Sequence, residues 1–232
     1  MLCLSKNGII NPALRAVFIT TQFETVNYLF YLFLFLLQAF CSHAQSKAQL
    51  WTEKERQTLL VGLDTTQANL QKEVMNVTAT QLHFKPDSSQ WSIAEILEHL
   101  GVYEELLYWD LLNGQYTPEM PELAKKVKGV DSVMVAYTND PVKLKAPFVA
   151  QPLGRFQNTA ELMAYFSRFR NAVMELVKVT PADFRLHFIF RPEDTSLWHI
   201  RDLQQYTLLW IAHTARHTNQ IKRVKAAPGF PL

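Results

Sequence analysis

Two histidines four residues apart, His213 and His217, stand in the segment Trp210-Ile-Ala-His213-Thr-Ala-Arg-His217-Thr-Asn-Gln220-Ile221. Four residues is about one turn of α-helix, so both imidazoles leave the same face. That face is the apolar one: Leu203, Tyr206, Trp210, His213, His217, Gln220 and Val224 follow at alternating steps of three and four, the spacing of a buried seam. A third histidine, His99, lies near the buried side of a second helical segment. If the two helices touch, three imidazoles converge. Three nitrogen ligands on a divalent ion leave at least one position open, as in catalytic rather than structural metal sites. Such an ion lowers the pKa of a bound water toward neutrality, or polarises a substrate oxygen or sulfur. Hydrogen bonds inside the core would also satisfy buried imidazoles, so spacing alone leaves both readings open.

Other side chains are weaker candidates. Glu95 precedes His99 by one turn and could orient an imidazole or act as a general base; a capping-box role with Ser92 competes with both. Tyr103 and Tyr206 could line a pocket, or simply fill the core. Gln220 continues the seam and could bond across helices. Arg216 reads as a surface residue, and His83, His187 and His199 as ordinary partly buried histidines.

Four helices must position these groups. The first starts at Thr52, which has capping-box spacing to Glu55, and carries Leu60, Leu63, Gln67, Leu70, Val74 and Val77 on one face. It fades over residues 76–80, and a non-helical connection around Pro86 follows. The second is delimited by the Ser92/Glu95 box and Gly114. Prolines punctuate residues 115–156, with short helices expected near 119–127 and 131–137. A connection this long can cross a whole bundle, so the helices it joins need not be antiparallel neighbours. The third helix runs over 158–179 with Leu162, Phe166, Phe169, Val173 and Leu176 as its core face. Residues 187–190 could be extended. The fourth helix runs from 196 or 197 to 225. Four amphipathic helices, one long crossover and no convincing strand make an all-α four-helix bundle.

The N-terminal region reads differently. Residues 28–37 are a run of Leu, Phe and Tyr, preceded by Lys6 and Arg15 and followed by Ser42-His43-Ala44. This is the layout of a secretory signal peptide, too short to span a bilayer comfortably. The expected division is therefore a signal peptide over 1–44, a bundle domain over 45–227 and a tail over 228–232. The expected location is periplasmic or extracellular. Both cysteines, Cys3 and Cys41, fall in the removed part, which leaves His, Asp and Glu as the metal ligands available. The 23 Lys and Arg face 21 Asp and Glu; without Lys6, Arg15 and Glu24 the ratio is 21 to 20. Such balance points away from nucleic acid. The partners expected are a small-molecule substrate and, in a homodimer, a second copy of the chain, with no stable membrane span once the signal is cleaved.

Three blocks in order, Leu82-His-Phe-Lys-Pro86, Trp91-Ser-Ile-Ala-Glu-Ile-Leu-Glu-His99-Leu100 and His213-Thr-Ala-Arg-His217-Thr-Asn-Gln220-Ile221, resemble the DinB/YfiT-like superfamily over about residues 53–225. The resemblance implies a bundle in the less usual up-down-down-up order. It also implies a divalent ion held by one histidine of helix two and an HxxxH pair of helix four, which map onto His99, His213 and His217. Zn, Ni, Fe and Mn all suit such nitrogen donors. The activities implied are metal-dependent hydrolysis or thiol S-transfer with low-molecular-weight thiols such as bacillithiol or mycothiol. Those thiols are chiefly cytosolic, whereas the signal segment points outward. A non-catalytic bundle binding a metal or small ligand is the alternative.

Overall fold

The computed structural model describes residues 49–232 except Lys128, 140–144 and 191–199. The expected signal segment lies outside the described residues, and none of the described helices is long and apolar enough to cross a membrane.

Helix α1 spans Glu53–Val74, with Thr52 and Glu55 in a reciprocal capping box. A short α2, Ala79–His83, follows where a non-helical connection was expected; Thr78 and Gln81 supply a second capping box that nucleates it before Pro86. Helix α3 is Ile93–Gly114, capped by Ser92 and Glu95. The long connection carries α4 (Pro121–Val127), α5 (Asp131–Ala136) and 3-10 turns at Tyr137–Asn139 and Phe148–Ala150. Helix α6 is Thr159–Val179, capped by Asn158.

The next segment bears out the extended reading of residues 187–190 and corrects the expectation of no convincing strand. Strand β1, Phe188–Phe190, pairs antiparallel with β2, Ile200–Asp202, in the register Phe188↔Asp202. Consequently α7 spans Leu203–Lys225 and does not begin at 196 or 197. Asp202 accepts from the backbone N–H of Gln205 and starts the helix. The extended backbone of Ile200 and Arg201 keeps it from starting earlier. The Asp202/Gln205 spacing carried that signal.

The four long helices form a square in which α1 and α3 each pack against both α6 and α7. Contacts fix the directions. Trp51 meets Gln204, Gly62 meets Ile211 and Glu73 meets Lys225, so α1 and α7 run parallel. Likewise Gly101 meets Tyr165 and Tyr108 meets Phe169, so α3 and α6 are parallel. Arg56 reaches Val177 while Leu63 meets Arg170, and Tyr206 reaches Asp110 while His213 meets His99: the other two sides are antiparallel. This is an up-down-down-up bundle. Joining parallel α3 and α6 obliges the chain to return the length of a helix, about 33 Å for 22 residues at 1.5 Å each, and the long crossover does so. Both parallel pairs approach closely at a glycine. A Cβ on Gly101 would stand 2.4 Å from the Tyr165 ring, and one on Gly62 2.9 Å from Ile211.

The core has two apolar clusters. One gathers Leu59, Leu63, Leu107, Leu111, Val173 and Leu203 near one end of the bundle; the other gathers Leu70, Ile96, Leu100, Leu162, Phe166 and Ile221 near the opposite end. Between them lies a polar layer. Arg170, fully buried on α6, occupies it with all three guanidinium nitrogens donating: to the Glu104 carboxylate of α3 at 2.6 and 2.5 Å, to Leu63 O and Thr66 Oγ1 of α1 at 2.8 and 2.9 Å, and to Thr214 Oγ1 of α7 at 2.8 Å. One side chain thereby ties all four helices. The expected core face of α6 shifts accordingly. Arg170, not Phe169, is the buried residue, because the buried charge has a complete set of acceptors.

Candidate metal centre

The second occupant of the polar layer is the histidine group. Antiparallel packing of α3 and α7 puts His99 beside His213, and one turn of α7 adds His217. Nε2 of His213 stands 3.3 Å from Nε2 of His99 and 3.1 Å from Nε2 of His217. Among the described residues these three form the one His, Cys, Asp and Glu group able to share an ion, their ligand atoms all lying within 4.8 Å of one another. Two nitrogens each about 2.0–2.1 Å from a tetrahedral ion stand about 3.3–3.4 Å apart, so the observed separations suit one ion.

The outer edges of the rings decide what the inner nitrogens are. His99 Nδ1–H donates to the carbonyl of Ala150, in the crossover, at 2.8 Å. His217 Nδ1–H donates to Gln220 Oε1 at 2.7 Å. With those protons on Nδ1, both Nε2 atoms present lone pairs inward. His213 can offer at most one proton to two such neighbours. Convergent lone pairs at this distance repel unless a proton or cation lies among them, and the donor set therefore fits a metal.

Burial keeps the rings neutral. It pushes the pKa of His99 down to about 4, the Ala150 bond only partly opposing this. Burial also lowers His217 to about 3, assisted by the proximity of His99 and opposed by the Gln220 bond. His213 lies well below its ordinary value, first through burial and then through His217, His99, Arg216 and Arg170. Neutral imidazole is the ligating form.

Aromatic rings surround the group. Trp91 lies 4.8 Å from His99, Tyr103 lies 4.7 Å from His99 and 4.6 Å from His213, and Trp210 lies 5.1 Å from His213. Tyr137 stacks at 6.2 Å on His213 and carries the Arg216 guanidinium on its own ring. His99 and His213 are buried, while His217 is partly covered.

The family model described as the DinB superfamily matches residues 62–221. The chain belongs to the DinB superfamily. Its fold is similar to that of YfiT from Bacillus subtilis, described as a probable metal-dependent hydrolase with an unusual four-helix bundle topology. The two share 13% identity with a TM-score of 0.53, over 80% of this chain and 94% of the other. Comparison with curated proteins finds no match. At that identity the likeness to YfiT speaks for the fold, and the matched span includes all three histidines of this DinB-superfamily chain.

The other candidates fall elsewhere. Glu95 accepts from Ser92 N–H at 2.7 Å and pairs with Lys85 at 2.9 Å, on a cleft of about 520 Å³ that it shares with Glu98, Leu153 and Gly154 and that none of the three histidines lines. Tyr103 packs its ring on the histidines, and Tyr206 donates to the Asp110 carboxylate. Gln220, expected to bond across helices, instead orients His217 within its own helix. His187 donates to the Thr117 carbonyl, His83 lines the cleft, and His199 lies outside the described residues. Sequence reasoning missed Ala150, because a backbone carbonyl carries no pattern. Glu98 stands beside His99 in the sequence as a weaker candidate, but its bonds to the crossover are not readable there.

Proposed function

We propose that the protein is a metal-dependent hydrolase or transferase, exported after removal of residues 1–44, acting on a small molecule through one divalent ion held by Nε2 of His99, His213 and His217. The observation that carries this is the convergence of three ring nitrogens, two of them turned inward by acceptors behind their rings. A divalent ion bound there supplies Lewis acidity that polarises a substrate oxygen or sulfur and acidifies water. The chain's own residues prepare the place. His99 and His217 hold their protons on the far side. Trp91, Tyr103, Trp210 and Tyr137 wall the group with rings and thin the surrounding water. Three protein ligands leave room for a substrate atom. The donors suit Zn, Ni, Fe or Mn. Export is supported by the apolar run over 28–37 and the small residues after it.

Metal analysis of protein purified without a histidine tag tests this reading. About one equivalent of metal is expected, with thermal stabilisation by added Zn or Ni. Protein that neither carries metal nor is stabilised by either ion would refute it. A second reading, a metal-binding bundle without turnover, is favoured by one observation: the carboxylates nearest His99 in the chain, Glu95 and Glu98, are committed to Ser92 and Lys85 and to the crossover, not to the ion's surroundings. Hydrolysis of ester, amide or phosphoester model substrates that disappears in folded His213→Ala excludes that second reading.

A further inference from the structure

We propose that Glu98 is a positioning residue that sets the metal affinity of the histidine centre by latching the crossover onto α3. Its side chain is buried, and its carboxylate takes three donors from one short stretch: Leu153 N–H at 3.0 Å, Gly154 N–H at 2.8 Å and Arg155 Nε at 2.7 Å. Gly154 has φ of 70°, the left-handed conformation that glycine adopts without strain, and two successive N–H groups thereby reach one carboxylate. Three residues before Leu153, the fully buried Ala150 gives its carbonyl to His99 Nδ1–H. Glu98 and His99 are consecutive, so two adjacent side chains of α3 grip the same strap, one holding it and the other relying on it.

Phe148 and Leu153 of the strap face outward, 89% and 72% exposed, while Ala150 is fully buried and Phe156, just beyond Arg155, packs on the cluster of Leu162 and Phe166 and stacks on Tyr165 at 5.0 Å. Between those two apolar anchors the three bonds to Glu98 fix the strap's course. Without them Ala150 O can shift relative to His99. The His99 proton then redistributes between Nδ1 and Nε2, and a proton on Nε2 occupies the lone pair that a metal needs.

The proposal rests on the histidine-held metal read above, and its test separates the two. Long-range 1H–15N NMR of metal-free protein reports the His99 tautomer, and competition with a chromophoric chelator reports the Zn2+ affinity. In wild type, His99 is expected protonated on Nδ1. Glu98→Gln replaces one acceptor oxygen by a donor. It should give a tautomer mixture and weaken Zn2+ binding about tenfold or more, as loss of a ligand's outer partner does. Arg155→Gln should move both readouts the same way by less. Lys85→Gln, on the same cleft but paired with Glu95 and not with the strap, should move neither. A folded Glu98→Gln protein whose tautomer stays Nδ1–H and whose affinity stays within twofold overturns the proposal. Should that variant not fold, Arg155→Gln, whose side chain is 42% exposed, decides by the same two readouts. Wild type that binds no Zn2+ sinks the metal reading and with it the affinity half of the proposal, and the tautomer then judges the latch by itself.

Discussion

Two polar centres share the layer between the apolar clusters, and they are built on opposite plans. Around Arg170 every guanidinium nitrogen meets an acceptor, and its charge meets that of Glu104 within hydrogen-bond distance. Around His213 the nearest polar atoms are two more imidazole nitrogens, also turned inward. The first centre is complete as the chain makes it. The second is complete only with a positive charge at its middle. They are neighbours in sequence, since Thr214 serves the first and His213 the second, so one turn of α7 takes part in both. The contrast teaches that a buried polar group is informative through what its partners lack. Arg170 is the more polar residue, yet it is His213 that points to a ligand.

Substitutions in each centre, and acid, test whether the two are independent. The largest effect is expected from Glu104→Ala, which leaves the Arg170 charge buried without its counter-ion. It should cost about 3–5 kcal/mol in urea denaturation, whereas the paired replacement Glu104→Leu with Arg170→Met should recover most of that loss. Next comes His213→Ala. Wild type should gain about 2.7 kcal/mol from metal at a hundredfold excess over Kd. The variant should gain nothing, while its metal-free stability stays near that of wild type. If Glu104→Ala abolished metal binding in a folded protein, the two centres would be one system and the contrast would fail.

Acidity comes third. His99 and His217 have folded-state pKa values lowered by burial to about 4 and about 3. The unfolded chain therefore binds protons first, below its ordinary value of about 6.5. The stability of metal-free protein should be full above that pH and fall between about 6.5 and 4, with a slope of up to about 1.4 kcal/mol per pH unit for each histidine. Asp202 works in the opposite sense. Burial raises it to about 6 despite Arg185, so its contribution grows as pH falls through the same window. Urea midpoints against pH, compared between wild type and His99→Gln, isolate the histidine part; a slope unchanged by the substitution would contradict it. The smallest effect belongs to Thr214→Val. It removes one acceptor from Arg170 while preserving shape, and should cost about 1–2 kcal/mol, with Zn2+ affinity within twofold of wild type.

How much of this was legible beforehand depended on whether a residue's role shows in its own segment. His213 and His217 were legible because an apolar seam made two polar rings conspicuous, and His99 because its helix was well delimited. The helix starts at Thr52, Ser92 and Asn158 were legible because capping is local. Arg170 was not, since charge beside Phe169 reads as a surface position until four acceptors from three other helices are in view. The hairpin was half legible: residues 187–190 read as extended and β1 lies there, but β2 falls within the span that reads as the fourth helix, because three residues show too little alternation. Ala150 contributes a backbone oxygen, which any residue would supply, so only the path of the crossover reveals it.

That path has a kinetic side. Helices consecutive in the chain, α1 with α3 and α6 with α7, stand on the diagonals of the square, and three of its four sides join segments far apart in sequence; the fourth waits on the crossover. Few native helix contacts can form early from local encounters. Such a bundle should fold more slowly than a simple up-down-up-down one of the same length, where each hairpin closes a short loop. The metal centre inherits this order of events. Its nitrogens come from α3 and α7, a side of the square that joins segments far apart in sequence, so the site forms only when that non-local side closes.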